Sequence, residues 1–133
     1  MALTADRNTP HKDGELIAVP VAAAVKIYAG SLVAISATGY ATPGAVATTL
    51  RYLGKAEEYV DNSAGAAGAK TVNVRRKKAF KFKNHAADLI VQADLNNTCY
   101  IVDDETVAKT NGTATRSAAG KVIGIDTDGV WIE

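Results

Sequence analysis

Short apolar runs broken by Gly, Pro and Asn at close intervals leave little room in this chain for long amphipathic helices. Leu16 to Val21, Val25 to Tyr28, Leu32 to Ser36 and a weaker Tyr40-Ala41 pair are separated by Ala29-Gly30, Thr38-Gly39 and Pro43-Gly44. That spacing is the signature of an all-β domain. Leu50 to Val60 reads as a strand bent near Gly54, although Leu50, Leu53, Glu57 and Val60 also fit a helical stripe. Asp61 to Gly68 is a small-residue loop. After it, Val72, Val74, Phe80 and Phe82 fall in one phase of period two and predict a strand across 71–83. Arg76 and Lys78 share the apolar phase. Either the strand leaves the core there and both side chains extend into solvent, or a bulge resets the phase.

Farther on, the pattern stays short. At most one helical turn is expected around Ala93-Asp94-Leu95, and Thr98 to Val102 with Thr106 to Lys109 form a hairpin around the acidic turn Asp103-Asp104-Glu105. Asn111-Gly112 supplies a turn of the kind that needs positive φ. A two-residue turn at Asp128-Gly129 would pair Ile125 with Ile132 and Thr127 with Val130. Ile123, Ile125, Val130 and Ile132 would then share one face, with Trp131 and Asp126 on the other. A half-exposed Trp131 is a candidate contact residue.

With 133 residues, the chain fits one domain whose core needs no disulfide or metal. Apolar residues make up 47% but aromatics only 6%, which points to a core of Val, Ile and Leu in thin sheets. Cys99 is the single cysteine, and Met1 to Glu15 has no apolar stretch resembling a signal peptide, so synthesis in the cytoplasm is expected. No apolar run approaches the ~20 residues of a membrane helix. The polar, Pro10-containing segment before Glu15 has neither periodicity. Residues 1–14 therefore read as an extended arm and 15–133 as a single β domain. Fully extended, the arm spans roughly 45 Å.

Charge is segregated although the formal net charge is only +1. Residues 70–83 hold seven of the fifteen Lys and Arg (Lys70, Arg75, Arg76, Lys77, Lys78, Lys81, Lys83) and no acid; from Asn84 onward, eight acids face Lys109, Arg116 and Lys121. A basic strip of this kind is a solvated edge that discourages strand pairing, a nucleic-acid contact, or a docking face for an acidic protein surface. Nucleic acid is disfavoured because Phe80 and Phe82 face the core and leave no stacking platform.

No chemistry-bearing motif survives inspection. Around Lys70-Thr71 a phosphate loop would need Gly at Ala69 and Ala64, and a strand follows where a helix is required. Asp126-Thr127-Asp128-Gly129 lacks the first calcium ligand, since Gly124 stands there. His11 and His85 have no zinc-ligand neighbours. Consecutive turn acids such as Asp103 and Asp104 ordinarily solvate a loop. Neither catalysis nor a cofactor nor a metal is expected.

Several segments carry a family resemblance. Met1-Ala2-Leu3-Thr4-Ala5-Asp6-Arg7-Asn8-Thr9-Pro10, Lys26-Ile27-Tyr28-Ala29-Gly30-Ser31-Leu32-Val33-Ala34, Asp61 to Gly68, and Ala93-Asp94-Leu95 through Thr98 to Lys109 resemble the small capsid decoration (cement) proteins of tailed phages. That resemblance implies a β-sandwich or jelly-roll-like barrel on the virion exterior that binds the major capsid protein, stabilises the shell and self-associates as a dimer or trimer at symmetry axes. It implies no catalytic residues, nucleic acid or membrane. The contact residues expected are Arg7, Asn8, Pro10 and His11 in the arm, Arg75, Arg76, Lys77 and Lys78 in the strip, and Trp131. A different class of reading is a small β module that binds carbohydrate or another ligand on a virion surface, through a concave site lined by exposed aromatics.

Overall fold

Three consecutive residues, Leu32, Val33 and Ala34, are all fully buried, although neighbouring side chains of a strand point to opposite faces. Both faces must therefore be covered, and the architecture follows from how. In the computed structural model, which describes residues 1–133, the chain forms twelve strands: β1 (Leu16–Pro20), β2 (Val25–Ile27), β3 (Leu32–Ile35), β4 (Ala41–Pro43), β5 (Arg51–Ala56), β6 (Val60–Asn62), β7 (Thr71–Arg75), β8 (Phe80–Asn84), β9 (Thr98–Ile101), β10 (Thr106–Ala108), β11 (Ala118–Asp126) and β12 (Gly129–Ile132). The one helical element is a 3₁₀ turn at Gln92–Asp94, where a single turn is expected. The fold is all-β.

The first half makes an antiparallel sheet in the order β1-β7-β5-β3-β4, with β2 and β6 paired as a separate ribbon. The sheet curls until Val21 forms a bridge with Ala41. Val19, Val21, Val33, Val72 and Val74 on its inner side pack with Ile27 and Val60 from the ribbon. The second half closes into a barrel of five strands, β10-β8-β12-β11-β9. A barrel this narrow is filled by its own side chains; here they include Phe82, Ile101, Val107, Val122, Val130 and Ile132. Strand β3 joins the two cores. Leu32 and Ala34 belong to the barrel's cluster, whereas Val33 belongs to the sheet's.

Several expectations shift by small amounts with clear causes. The strand expected across 71–83 is two strands: β7 pairs with β1 and β5 in the sheet, and β8 pairs with β12 and β10 in the barrel. Between them Lys77 takes a left-handed φ of 60°, so the chain leaves the core at the turn. Leu50 to Val60 is extended, ending β5 at Ala56 and opening β6 at Val60. Its bend is a bulge that places Leu53 between the pairs Val33–Gly54 and Ala34–Tyr52. Asp61 and Asn62 complete β6, which shortens the expected loop. The acidic hairpin forms as β9 and β10.

The last hairpin turns one residue earlier than expected. Asp126 pairs with Gly129, Ile125 with Val130 and Gly124 with Trp131; a further irregularity between Val122 and Gly124 lets Val122 pair with Ile132. Ile123 is consequently 43% exposed while Val122 is buried. The bulge replaces one inward residue with its neighbour. Trp131 and Asp126 do share the outer face.

Gly54 is where β5 crosses β7. A Cβ there would collide with the carbonyl oxygen of Arg75, and backbone cannot yield as a flexible side-chain tip can. Gly54→Ala should therefore cost about 1–3 kcal/mol by overpacking, read as a lower urea midpoint at unchanged m-value.

Candidate interaction surface

At the root of the arm, two segments distant in sequence meet, residues 14–15 and 76–78. Arg76 donates its N–H to the Glu15 carbonyl at 2.8 Å. Lys78 Nζ lies 3.0 Å from Glu15 Oε2. A methyl group placed on Gly14 would stand 3.2 Å from Lys77 Nζ. Antiparallel pairing of β1 with β7 forces this arrangement, since Leu16 lies opposite Arg75. The arm and the turn of the basic strip thus form one surface.

Beyond that root, residues 1–13 are exposed at every position. Their only backbone hydrogen bond to one another runs from Thr9 N–H to Arg7 O at 3.1 Å. Asp13 Oδ1 accepts from Glu15 N–H at 3.1 Å where the arm meets β1. Arg7, Asn8, Pro10 and His11 all stand in solvent.

The strip itself is divided by its partners. Arg75 Nε donates to Glu57 Oε1 at 3.0 Å, and Lys81 Nζ contacts Asp128 Oδ1 at 3.0 Å and Lys83 Nζ contacts Glu105 Oε1 at 2.7 Å. Lys70 Nζ donates to the Asp61 carbonyl at 2.7 Å. Only Lys70, Arg76 and Lys77 of the seven have no carboxylate within ion-pair distance. Exposed pairs of this kind add little stability, but they use up charge. The hydrogen bond from Arg75 holds the Glu57 carboxyl below its usual range, and the bond to Asp128 raises Lys81. What remains for a partner is the Arg76-Lys77 turn beside the arm.

Trp131 lies on the outer face of the barrel, 37% exposed. Its Nε1–H donates to Asp126 Oδ2 at 2.8 Å, and Lys81 Nζ sits 5.6 Å from the ring centroid. Trp131 pairs across the barrel with Lys81, which lies three residues along the chain from Lys78. Tyr28 and Tyr59, two of the aromatics that the sequence offers to a ligand-binding module together with Tyr40, Tyr52, Tyr100 and Trp131, stand with centroids 5.2 Å apart and each more than half exposed. Sequence reasoning missed Glu15 and Glu57, because their neutralising contacts depend on pairing between distant strands.

The acidic turn has a structural job. Asp104 O accepts from Leu32 N–H at 2.7 Å, tying the barrel to β3, and Asp103 Oδ1 accepts from Glu105 N–H at 2.9 Å. Burial, together with Asp103 beside it, raises the Asp104 carboxyl. Burial likewise pushes the Cys99 thiol up to about 12, and a thiol this weakly acidic is a poor nucleophile.

A second polar bracket restrains the loop after β10. Gly112, Thr113 and Ala114 have φ of 63°, 61° and 60°, a left-handed run that costs the two non-glycine residues about 1–2 kcal/mol each. Asp88 Oδ2 compensates by accepting from Thr110 Oγ1 at 2.7 Å, Thr110 N–H at 3.0 Å and Arg116 Nη1 at 2.8 Å. No family model matches the chain, and searches of curated proteins and solved structures return no similar protein.

Hydrogen bonds from Thr110, with Arg116 adding to them, lower the Asp88 carboxyl from its ordinary value of 3.8. A depressed carboxyl stabilises the fold fully above that ordinary value, and the contribution fades as pH falls through the lower folded value. Asp88→Asn should cost about 1–2 kcal/mol at pH 7. The difference from the parent should hold down to about pH 5 and shrink on further acidification, as urea titrations across pH would show.

Proposed function

We propose that this chain is a non-enzymatic capsid decoration protein that binds the outer surface of a major capsid protein shell through its arm and the adjoining basic turn. The observation that carries the reading is the contrast between body and arm. Within the basic strip Arg75, Lys78, Lys81 and Lys83 meet acids brought from elsewhere in the fold, while Arg76-Lys77 at the arm's root meet none and the arm itself is exposed. The segments that resemble phage cement proteins support the same conclusion, and the two-core β body suits a rigid block held on a shell.

The mechanism is one of clamping. A shell displays many copies of each contact, so individually weak contacts act together. An arm with a reach of roughly 45 Å bridges neighbouring capsid subunits, and once the body has docked, the arm binds at high effective concentration. Fixing the arm costs conformational entropy, which lowers its affinity. Arg76 and Lys77 steer the encounter with an acidic surface, whereas Arg75 and Lys78 keep the turn in place through Glu57 and Glu15.

Co-sedimentation with expanded capsid shells tests this. Deleting residues 2–14 should weaken binding by tenfold or more, on the order of a lost second contact. Reversing charge at Arg76 and Lys77 should weaken binding further and flatten its salt dependence. Undiminished binding by the truncated chain would overturn arm docking, and no binding by the full chain would overturn the capsid reading.

A further inference from the structure

Strand β9 has β11 on one side and β10 on the other, but β10 ends one rung before β9 does. Lys121 exchanges both its backbone hydrogen bonds with Glu133, at 2.9 and 3.0 Å, so Thr98, which lies opposite Lys121, takes none from it. Successive residues of an antiparallel strand direct their backbone groups to alternate sides. Ile101 N–H donates to Ser117 O and Asn97 O accepts from Val122 N–H, both toward β11. Tyr100 and Thr98 therefore face β10. Tyr100 finds Ala108 there. Thr98, an exposed residue, finds no strand, and its N–H and its C=O are both left open.

The polar bracket after β10 is what draws the chain aside. Thr110 would face Thr98 on a longer β10, since Ala108 faces Tyr100. Its N–H instead donates to Asp88 Oδ2 at 3.0 Å, and its carbonyl accepts from Arg116 Nη1 at 3.1 Å. The gap so formed is a cleft of about 470 Å³ between Thr98 and Tyr100 on one wall and Lys109 and Asn111 on the other. Ile90 and Val122, core residues each 1% exposed, line its inner end.

Asp94 also lines the cleft, but its buried carboxylate is already engaged. Oδ2 accepts from Val91 N–H at 2.8 Å, and Oδ1 lies 3.5 Å from Lys109 Nζ. What the cleft leaves unpaired is a backbone donor and acceptor side by side, and their complement is another peptide unit rather than an ion or a sugar ring. We infer that the cleft beside Thr98 receives an extended peptide segment of a partner protein, about two or three residues long, which adds the missing rung to β9. The apolar inner end selects an apolar side chain on that segment. This goes beyond capsid docking and does not depend on it.

Titrating the isotope-labelled full chain with blocked tripeptides, acetyl-Ala-Xaa-Ala-amide, and following its amides by NMR tests the inference. Peptides with Val or Leu at Xaa should give saturable shifts centred on Thr98 and Lys109, with Kd on the order of millimolar, and Asp at Xaa should bind more weakly. The Thr98 amide should exchange fast in the free chain and about tenfold more slowly at a peptide concentration ten times Kd, while the Tyr100 amide, bonded to Ala108, stays protected throughout. Thr98→Pro removes the open N–H at an edge position that tolerates proline and should weaken binding about threefold to tenfold; the exchange reading on the parent decides the matter if that variant does not fold. Absence of saturable shifts across all Xaa, shifts centred on another edge, or undiminished binding by folded Thr98→Pro would overturn the inference. So would slow exchange of Thr98 without peptide, which would mean that its N–H is already paired.

Discussion

The two-sided burial of β3 is the constraint on which the rest of this structure depends. Leu32 and Ala34 fill the barrel side, Val33 fills the sheet side, and each is fully buried. Burying a side chain of this size is worth about 1.5–3 kcal/mol, so neither half can separate without exposing surface that belongs to the other. The hydrogen bond from Leu32 N–H to Asp104 O reinforces the joint from the barrel's acidic turn. Because the sheet holds β1 and β7 and the barrel holds β8, the same joint fixes the Arg76-Lys77 turn and the root of the arm against both halves.

Electrostatics then decide what that root offers. A sequence that segregates its basic and acidic residues as this one does suggests a molecule with a positive face, but folding brings much of the strip against acids from other strands. Arg75, Lys78, Lys81 and Lys83 meet Glu57, Glu15, Asp128 and Glu105. The surviving charge is small and local. It suits steering and register more than affinity, which leaves the arm as the larger source of contact.

Much of the fold was legible, and the misreadings have physical reasons. Turn residues and short apolar runs marked nearly every strand, but the burial of both faces of β3 was not legible, because it arises only when the distant barrel strands close over Leu32 and Ala34. The break between β7 and β8 was hidden because Val72, Val74, Phe80 and Phe82 keep one parity across the turn, and the left-handed residue there is Lys77, with no Gly to announce it. The Asp128-Gly129 pair suggested the last turn but not its register, which the irregularity at Ile123 adjusts against the barrel core. The arm was visible as aperiodic polar sequence. Its junction with the basic turn was not, because it arises from long-range pairing of β1 with β7.

Native-state hydrogen exchange tests the central claim, that β3 welds the two cores into one cooperative body. Core amides of the sheet, such as Val72 and Val74, and of the barrel, such as Ile101 and Val130, should exchange through a single global opening, converging on one free energy as urea is added. Val33→Ala should lower that common value in both halves together. If the sheet amides were released by a separate transition while the barrel kept its protection, the two halves would be independent units and the account of β3 would be wrong.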